Sequence, residues 1–452
     1  MYNTGQLPQD YQRCVIVPLP KKANARKCEK HRTLSLVPHA SKILTSIILR
    51  RCERDIEATL THDQFGFRRG RGTREAILGL RLIIEKRLRK DQDTFIAFID
   101  LEKAFDRVNW KELFDMMKRV GMKYKDRRII HALYKDERAV VKIGDCQEEA
   151  AIKQGVRQGC SLSPVLFNGY IQSAIDEVVE NLDQTGGVKI HGERIHCLRF
   201  ADDIGVLAES EEQLLAMLEE MNVTFNKYHM KINKSKTKVL VASRHGTRVD
   251  WLETEQIESV DAFTYLGSKI TSDGRSYSDI ISRINQAKNA FNKKHALLTS
   301  NSVSKQLRKR LVKTFVWSVL LYGSETWTIG ENGKRRIAAF EMWCYRRMLK
   351  IAWADRVTND EVLRRVEEEK PRLLNMIRRR RAEWMGHLLR HEGLIGTILE
   401  GTVEGTNARG RPRMEFAEQM VEDMGCSSFV ELKRLAQDRE AWKTAITNQS
   451  SD

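Results

Sequence analysis

Hydrophobic side chains make up 41% of this 452-residue chain, enough apolar surface to fold two or three domains and to exclude wholesale disorder. Lysine and arginine number 78 against 61 aspartates and glutamates, a net charge of +17, which favours a polyanionic partner, nucleic acid before an acidic membrane surface. No apolar run approaches the ~20 residues of a membrane span, the eight cysteines form no CxxC pair that would suggest a zinc ribbon or disulfide framework, and no basic stretch leads into an apolar core at the N-terminus, so no secretory signal is expected.

Val15-Ile16-Val17-Pro18 reads as a strand, followed by a basic loop with Lys21, Lys22, Arg26, Lys27 and Arg32. A helix is expected over residues 41–56, with Ile43, Leu44, Ile47 and Ile48 on one face. Gly66, Gly70 and Gly72 punctuate a second basic loop around Arg68, Arg69 and Arg71. It lacks the Gly-Lys-Ser/Thr ending of a P-loop, which leaves either a flexible basic loop or a contact with nucleic-acid backbone. The apolar run Phe95 to Ile99 reads as a strand ending in Asp100. Ser163-Pro164 marks a helix start. Leu198 to Phe200 and Ile204 to Ala208 read as two short strands, with Asp202 and Asp203 at the turn between them.

Ser210 and Gln213 form a capping box. Leu214, Leu218, Met221 and Phe225 then repeat at helical spacing, and residues 237–242 read as a returning strand. From about Ile280 the pattern is helical, with Leu307, Leu311, Phe315 and Val319 as an apolar stripe and repeated arginine clusters. His387 and His391 lack the partners of a metal site and read as solvated or packed. Residues 401–413 are glycine-rich and aperiodic, a loop or linker. A last helical segment holds Phe416, Met420, Leu432, Leu435 and Trp442.

Two strands that each deliver a carboxylate at a tip can build a two-metal site, because magnesium prefers oxygen ligands. In a chain this basic, such a site points to phosphoryl transfer on nucleic acid. Nucleotide addition needs activation of a primer 3′-hydroxyl and neutralisation of the departing pyrophosphate, and two metal ions serve both ends.

Six segments, in order, resemble the reverse transcriptase of non-LTR (LINE-type) retrotransposons of the endonuclease–reverse transcriptase type. They are Pro20-Lys21-Lys22 with Arg32-Thr33-Leu34-Ser35-Leu36, Gln64-Phe65-Gly66-Phe67-Arg68, Phe98 to Asp106, Gly155 to Pro164, Phe200-Ala201-Asp202-Asp203, and Thr264-Tyr265-Leu266-Gly267. The resemblance implies an α+β right-hand polymerase, with fingers and palm over 1–245, a primer-grip hairpin and helical thumb over 246–345, and a basic, mostly helical C-terminal extension over 346–452 with a flexible loop at 401–413. It implies Asp100, Asp202 and Asp203 as catalytic aspartates and metal ligands, with Leu101 added to the metal set, two Mg²⁺ ions (Mn²⁺ as a substitute), and Lys236 as a general acid near the leaving pyrophosphate. Lys234 and Lys238 are close enough for that last assignment to shift.

The resemblance further implies Lys21 or Lys22 with Arg32 on the triphosphate, Phe105 against the sugar 2′ position, and Gln158-Gly159 against the nascent pair. Arg68 and the Tyr265-Leu266-Gly267 turn fall to nucleic-acid contacts. Arg409-Gly410-Arg411-Pro412 matches the core of an AT-hook, which inserts arginines into a narrow minor groove, or is a plain basic linker. The implied function is RNA-directed DNA synthesis from an RNA template, a DNA primer or target DNA, and deoxynucleoside triphosphates, without a membrane. The implied setting is the nucleus, with a cytoplasmic ribonucleoprotein stage. The upstream endonuclease of such elements is expected to be missing, so the alternative is a truncated, inactive remnant that only binds nucleic acid. Thr33 stands where many relatives have proline.

Overall fold

The computed structural model describes residues 1–21, 24–27, 30–135, 137–143, 145–182, 185–247, 249, 257–410 and 413–451, with Arg32, Ile143, Trp353, Gln449, Ser450 and Ser451 described by their backbone alone. Lys22 and Arg411 lie outside the described residues. A strand without polar alternation must be covered on both faces, and all six residues of Thr94–Ile99 are buried. It is the middle strand of a five-stranded sheet in the order Glu258–Ser259, Lys238–Ala242, Thr94–Ile99, Asp203–Ala208, Cys197–Phe200. Phe95, Ala97 and Ile99 enter one core with Val206, Val239 and residues of the Ser163–Asn181 and Glu211–Lys227 helices. Ile96 and Phe98 enter a second core on the opposite face, with Leu198, Leu207 and Leu240.

The chain adopts the α+β right-hand architecture. The palm is this sheet. The fingers carry a four-stranded sheet ordered His31–Leu36, Arg13–Pro20, Arg138–Ile143, Cys146–Ala151. The helical thumb has its own core around Ile284, Phe291, Trp317, Trp327 and Tyr345. Among the described residues no helix is long and apolar enough to cross a membrane.

Two helical faces differ from the sequence reading. Helix His39–Glu57 buries Ser41, Thr45, Ile48, Cys52 and Ile56, while Ile43 and Ile47 are 64% and 49% exposed. Ile48 is buried as expected and Leu44 packs against the same core, but the buried stripe runs through Ser41, Thr45, Cys52 and Ile56, on the side of the helix that meets the Ser163–Asn181 helix. Farther on, Leu307 and Phe315 are exposed, and Val312, Val316 and Leu320 are buried instead. A π-helical turn at Lys313–Trp317 widens the helix by one residue, so a stripe spaced every four residues does not continue across it.

The last hundred residues do not hang free. Trp384, Met385, Ile398, Phe416 and Trp442 join Ile77, Leu80 and Ile84 of helix Thr73–Arg89 in the second palm core. Gly386 has no room for a Cβ because the Trp442 indole lies against it, and that indole donates to the Ala382 carbonyl at 3.1 Å. Trp384, Met385 and Gly386 are thus part of the core, while His387 is exposed.

Glu85 links these pieces. Both its carboxylate oxygens accept from the Phe416 N–H at 3.1 Å, and burial pushes its pKa up to about 8, with the Glu415 charge adding to the rise and the Phe416 N–H opposing it. An acid whose folded pKa is raised binds more protons folded than unfolded, so its contribution to stability falls as pH rises from about 4.5 to about 8. The slope is at most about 1.4 kcal/mol per pH unit. Glu85→Gln is therefore expected to melt close to the parent at pH 5 and above it at pH 8.5. Parallel thermal melts check this, and equal offsets at both pH values would refute it.

Candidate active site

The two carboxylate-bearing strand ends meet because of register. Ile99 pairs with Ile204 and Phe98 with Gly205, so the next residue up, Asp100, comes level with Asp203. Phe200 pairs with Asp203 across a two-residue turn, Ala201-Asp202, and Ala201 adopts φ +58° there. On the other flank Phe98 pairs with Lys238, which brings Lys236 beside Asp100. The Lys236 ammonium bonds the Asp100 carboxylate at 2.9 Å. The Asp100 carbonyl accepts from Asn233 N–H at 2.8 Å, so the lysine loop is pinned to the aspartate strand.

Burial and the charges of Asp202 and Asp100 push the Asp203 pKa up to about 6. This clustering of like charge is the electrostatic state a cation relieves. Among the described residues no group of three or more His, Cys, Asp or Glu side chains is arranged to hold a metal ion. Magnesium does not need one: it keeps waters and substrate phosphates and takes only one or two carboxylates from the protein. The donor set, all hard oxygen, fits it. Leu101 has a buried apolar side chain and could offer a metal only its backbone carbonyl; the hydrogen bonds of its bridge with Ile232 are made by the neighbouring Asp100 carbonyl and Glu102 N–H.

The loop that follows Asp100 carries Phe105, whose ring stacks on Phe167 at 4.5 Å. Next to it, Asp106 accepts from the Gln158 amide at 2.9 Å. Burial raises the Asp106 pKa, while Gln158 and the charges of Lys103 and Lys21 hold it back, which places Lys21 within electrostatic reach of the site. The Gln158 carbonyl accepts from Ser35 N–H at 3.1 Å. Gly159 has φ +100° and would bring a Cβ to 3.1 Å from the Ser35 carbonyl, so only glycine lets this loop lie flat on the finger strand. Asp100, Asp202, Asp203, Lys236, Phe105, Gln158 and Gly159 thus share one region, with Lys21 at its edge. The backbone of Arg32 pairs with Leu19.

Other expected contacts lie elsewhere. The Arg68 guanidinium is buried, bonding Glu57 at 2.5 and 2.8 Å and the carbonyls of Thr61 and Gln64, so four of its five N–H donors are used within the protein. Tyr265 is also buried and donates to the Leu198 carbonyl at 2.9 Å, anchoring its hairpin to the catalytic strand. The tip is the type I′ pair Leu266 (φ +47°) and Gly267 (φ +81°). Thumb residues hold both carbonyls, Tyr322 that of Leu266 at 2.8 Å and Arg283 that of Gly267. Arg409 lies in the 401–413 loop, which follows helix Thr73–Arg89 through a bond from Ala408 N–H to the Arg89 carbonyl.

Sequence reasoning assigned no role to Gln64, Gly66 or Asp106. The Gln64 side-chain oxygen accepts from both Gly66 N–H and Ala201 N–H at 2.9 Å, latching the loop to the catalytic turn. A Cβ on Gly66 would lie 2.5 Å from the Ala201 nitrogen. The glycine two residues after Gln64 was the available signal.

Residues 19–270 match the family model described as reverse transcriptase (RNA-dependent DNA polymerase). The chain is 26% identical over 277 residues to a retrovirus-related Pol polyprotein from type-1 retrotransposable element R2 of Popillia japonica, covering 58% of this chain and 38% of that one. It is 25% identical over 440 residues to the RNA-directed DNA polymerase from mobile element jockey of Drosophila melanogaster, covering 91% of this chain and 45% of the relative. The chain thus spans less than half the length of either. Among solved structures, apo telomerase from Candida tropicalis is 13% identical with a TM-score of 0.45, over 87% of this chain and 70% of that one.

Proposed function

The chain belongs to the reverse transcriptase (RNA-dependent DNA polymerase) family, and on that premise we propose that it extends a DNA primer on an RNA template as the polymerase of a non-LTR retrotransposon. The observation that carries this reading is the register that brings Asp100 level with Asp203 beside the Asp202 turn. Asp100, Asp202 and Asp203 are the residues that would hold Mg²⁺, or Mn²⁺ in its place. Bound there, the metal supplies activation of the primer hydroxyl and charge neutralisation at the triphosphate.

The chain's own groups do the rest. Lys236 gives up a proton to the departing pyrophosphate, and its bond to Asp100 keeps it at the site until the triphosphate arrives. Phe105, backed by Phe167, leaves room for a 2′ hydrogen and excludes a 2′ hydroxyl. Gln158, oriented by Asp106, lies with Gly159 along the nascent pair. Arg32, with Lys21 or Lys22, grips the triphosphate, and charge-assisted bonds suit that task. The Leu266-Gly267 tip and the basic thumb and C-terminal helices follow primer and template backbones, with Arg409 and Arg411 either entering a minor groove as an AT-hook core or forming a plain basic linker. Elements of this lifestyle act on chromosomal DNA, which places the work in the nucleus after a cytoplasmic ribonucleoprotein stage.

The test is primer extension on an RNA template with deoxynucleotides, run with Mg²⁺ and with chelator. Templated, metal-dependent extension supports the reading. A folded chain that binds RNA in a salt-dependent way and never extends a primer refutes it.

A further inference from the structure

Phe67 is an aromatic residue in the wrong place for stability. The residue is 51% exposed, and its backbone sits at φ +55°, a left-handed conformation that a bulky residue adopts only at a cost. Neither feature serves the core. The surrounding chain nonetheless holds it there from both sides. Gly66 donates to Gln64 and accepts from the Asn168 side chain at 2.8 Å, and Arg68 is clamped by Glu57, Thr61 and Gln64. A strained residue that its neighbours over-determine, next to reacting groups, marks function more often than packing.

The ring has two aromatic neighbours. It meets the Phe105 ring edge-on at 6.5 Å between centroids and the Phe200 ring at 6.1 Å. Phe105 is stacked on Phe167 on another side. Phe105 is therefore held between a buried ring and a half-exposed one, and the half-exposed ring also touches the residue that opens the catalytic turn.

We propose that Phe67 is a specificity-determining positioning residue, which braces Phe105 from the side of the catalytic turn and so sets how strictly nucleotides with a 2′-hydroxyl are refused. This rests on the reading of Phe105 as the sugar gate. A gate ring excludes a hydroxyl only if it cannot tilt away. Phe167 limits motion in one direction, and Phe67 limits it in another.

The conformation itself supplies a clean variant. Glycine is at ease at φ +55°, so Phe67→Gly removes the ring and leaves the loop's backbone unstrained. Single-nucleotide incorporation is measured with a deoxynucleotide and the ribonucleotide of the same base, and the ratio of kcat/KM values is compared among variants, each checked by thermal melting. Phe67→Gly is expected to lower the deoxy-to-ribo preference about tenfold, within the range of a lost apolar contact in a selective pocket, chiefly by lowering the ribonucleotide KM. Phe67→Tyr is expected to keep the preference. Phe105→Ala is expected to lose more, and adding Phe67→Gly to it to lose nothing further, because a brace has no effect without the ring it braces.

A Phe67→Gly protein that melts like the parent and keeps its preference overturns the proposal. So does a double variant whose losses simply add, since Phe67 would then act without Phe105. A Phe105→Ala enzyme that still refuses ribonucleotides is a different failure: it refutes the gate reading, and the brace falls with it.

Discussion

Asp202→Asn is expected to reduce primer extension on the order of 10³-fold or more while leaving the fold intact, a loss at or beyond the upper end for removing one preorganised charge-stabilising group. In free energy that is about 4 kcal/mol or more of transition-state stabilisation. The substitution keeps size and shape and removes only the charge. Asp202 is one of the two negative charges that help to push Asp203 up to about 6, behind burial itself. Taking it away relieves repulsion, so the Asp203 pKa is expected to move down and the melting temperature to hold or rise. Activity then falls with no loss of stability, which a structural role for Asp202 does not produce. Extension within tenfold of the parent, or a lowered melting temperature that accounts for the loss, would remove Asp202 from the catalytic set.

How much of this was legible in the sequence depends on what kind of signal each element carries. The hairpin around Asp202 and the strand before Asp100 were legible because strand identity rests on short apolar runs bounded by turn residues, and both are local. The helix after Ser210 was legible for the same reason: Ser210 accepts from Gln213 N–H as a cap, and Leu214, Leu218, Met221 and Phe225 are all buried. Periodicity failed where the neighbour decides. Ile43 and Ile47 share a face with the buried Ile48 in the sequence pattern, but the helix is rotated so that Ser41, Thr45, Ile48, Cys52 and Ile56 point inward, which the packing partner decides. Charge alone does not decide Arg68, since a basic loop predicts an anion partner without saying which, and the guanidinium pairs with the Glu57 of this chain. The tie between the C-terminal helices and the palm was not legible at all. It is made by residues three hundred positions apart, such as Trp384 donating to Glu75 at 3.0 Å, and nothing local announces it.

Asp63→Asn is expected to cost about 3–5 kcal/mol of stability, because it leaves a fully buried guanidinium without its counter-charge. Arg199 has no exposed side-chain surface, and it stands directly before Phe200. Its guanidinium bonds both Asp63 oxygens at 2.8 and 3.1 Å, the Thr61 hydroxyl at 2.7 Å and the Gln172 side chain at 2.8 Å. The backbones are stitched too, with Arg199 N–H on the Asp63 carbonyl and Phe65 N–H on the Arg199 carbonyl, both at 2.8 Å. Burial pulls the Asp63 pKa upward, but the charge and hydrogen bonds of Arg199 outweigh it and hold it at about 2. A carboxylate with a lowered folded pKa contributes stability that is complete above about pH 4 and is lost as pH falls toward 2. The variant should therefore lack that acid-side loss. The same network carries the strand that delivers the catalytic turn, so extension should fall with stability near the melting range. A cycle of urea melts with Asp63→Asn, Arg199→Met and the double variant separates pair from parts. The double variant is expected to be more stable than the sum of the single losses allows, because neither charge is left alone. Losses that add without coupling would mean that the two residues stabilise the hairpin through their other bonds and not through each other.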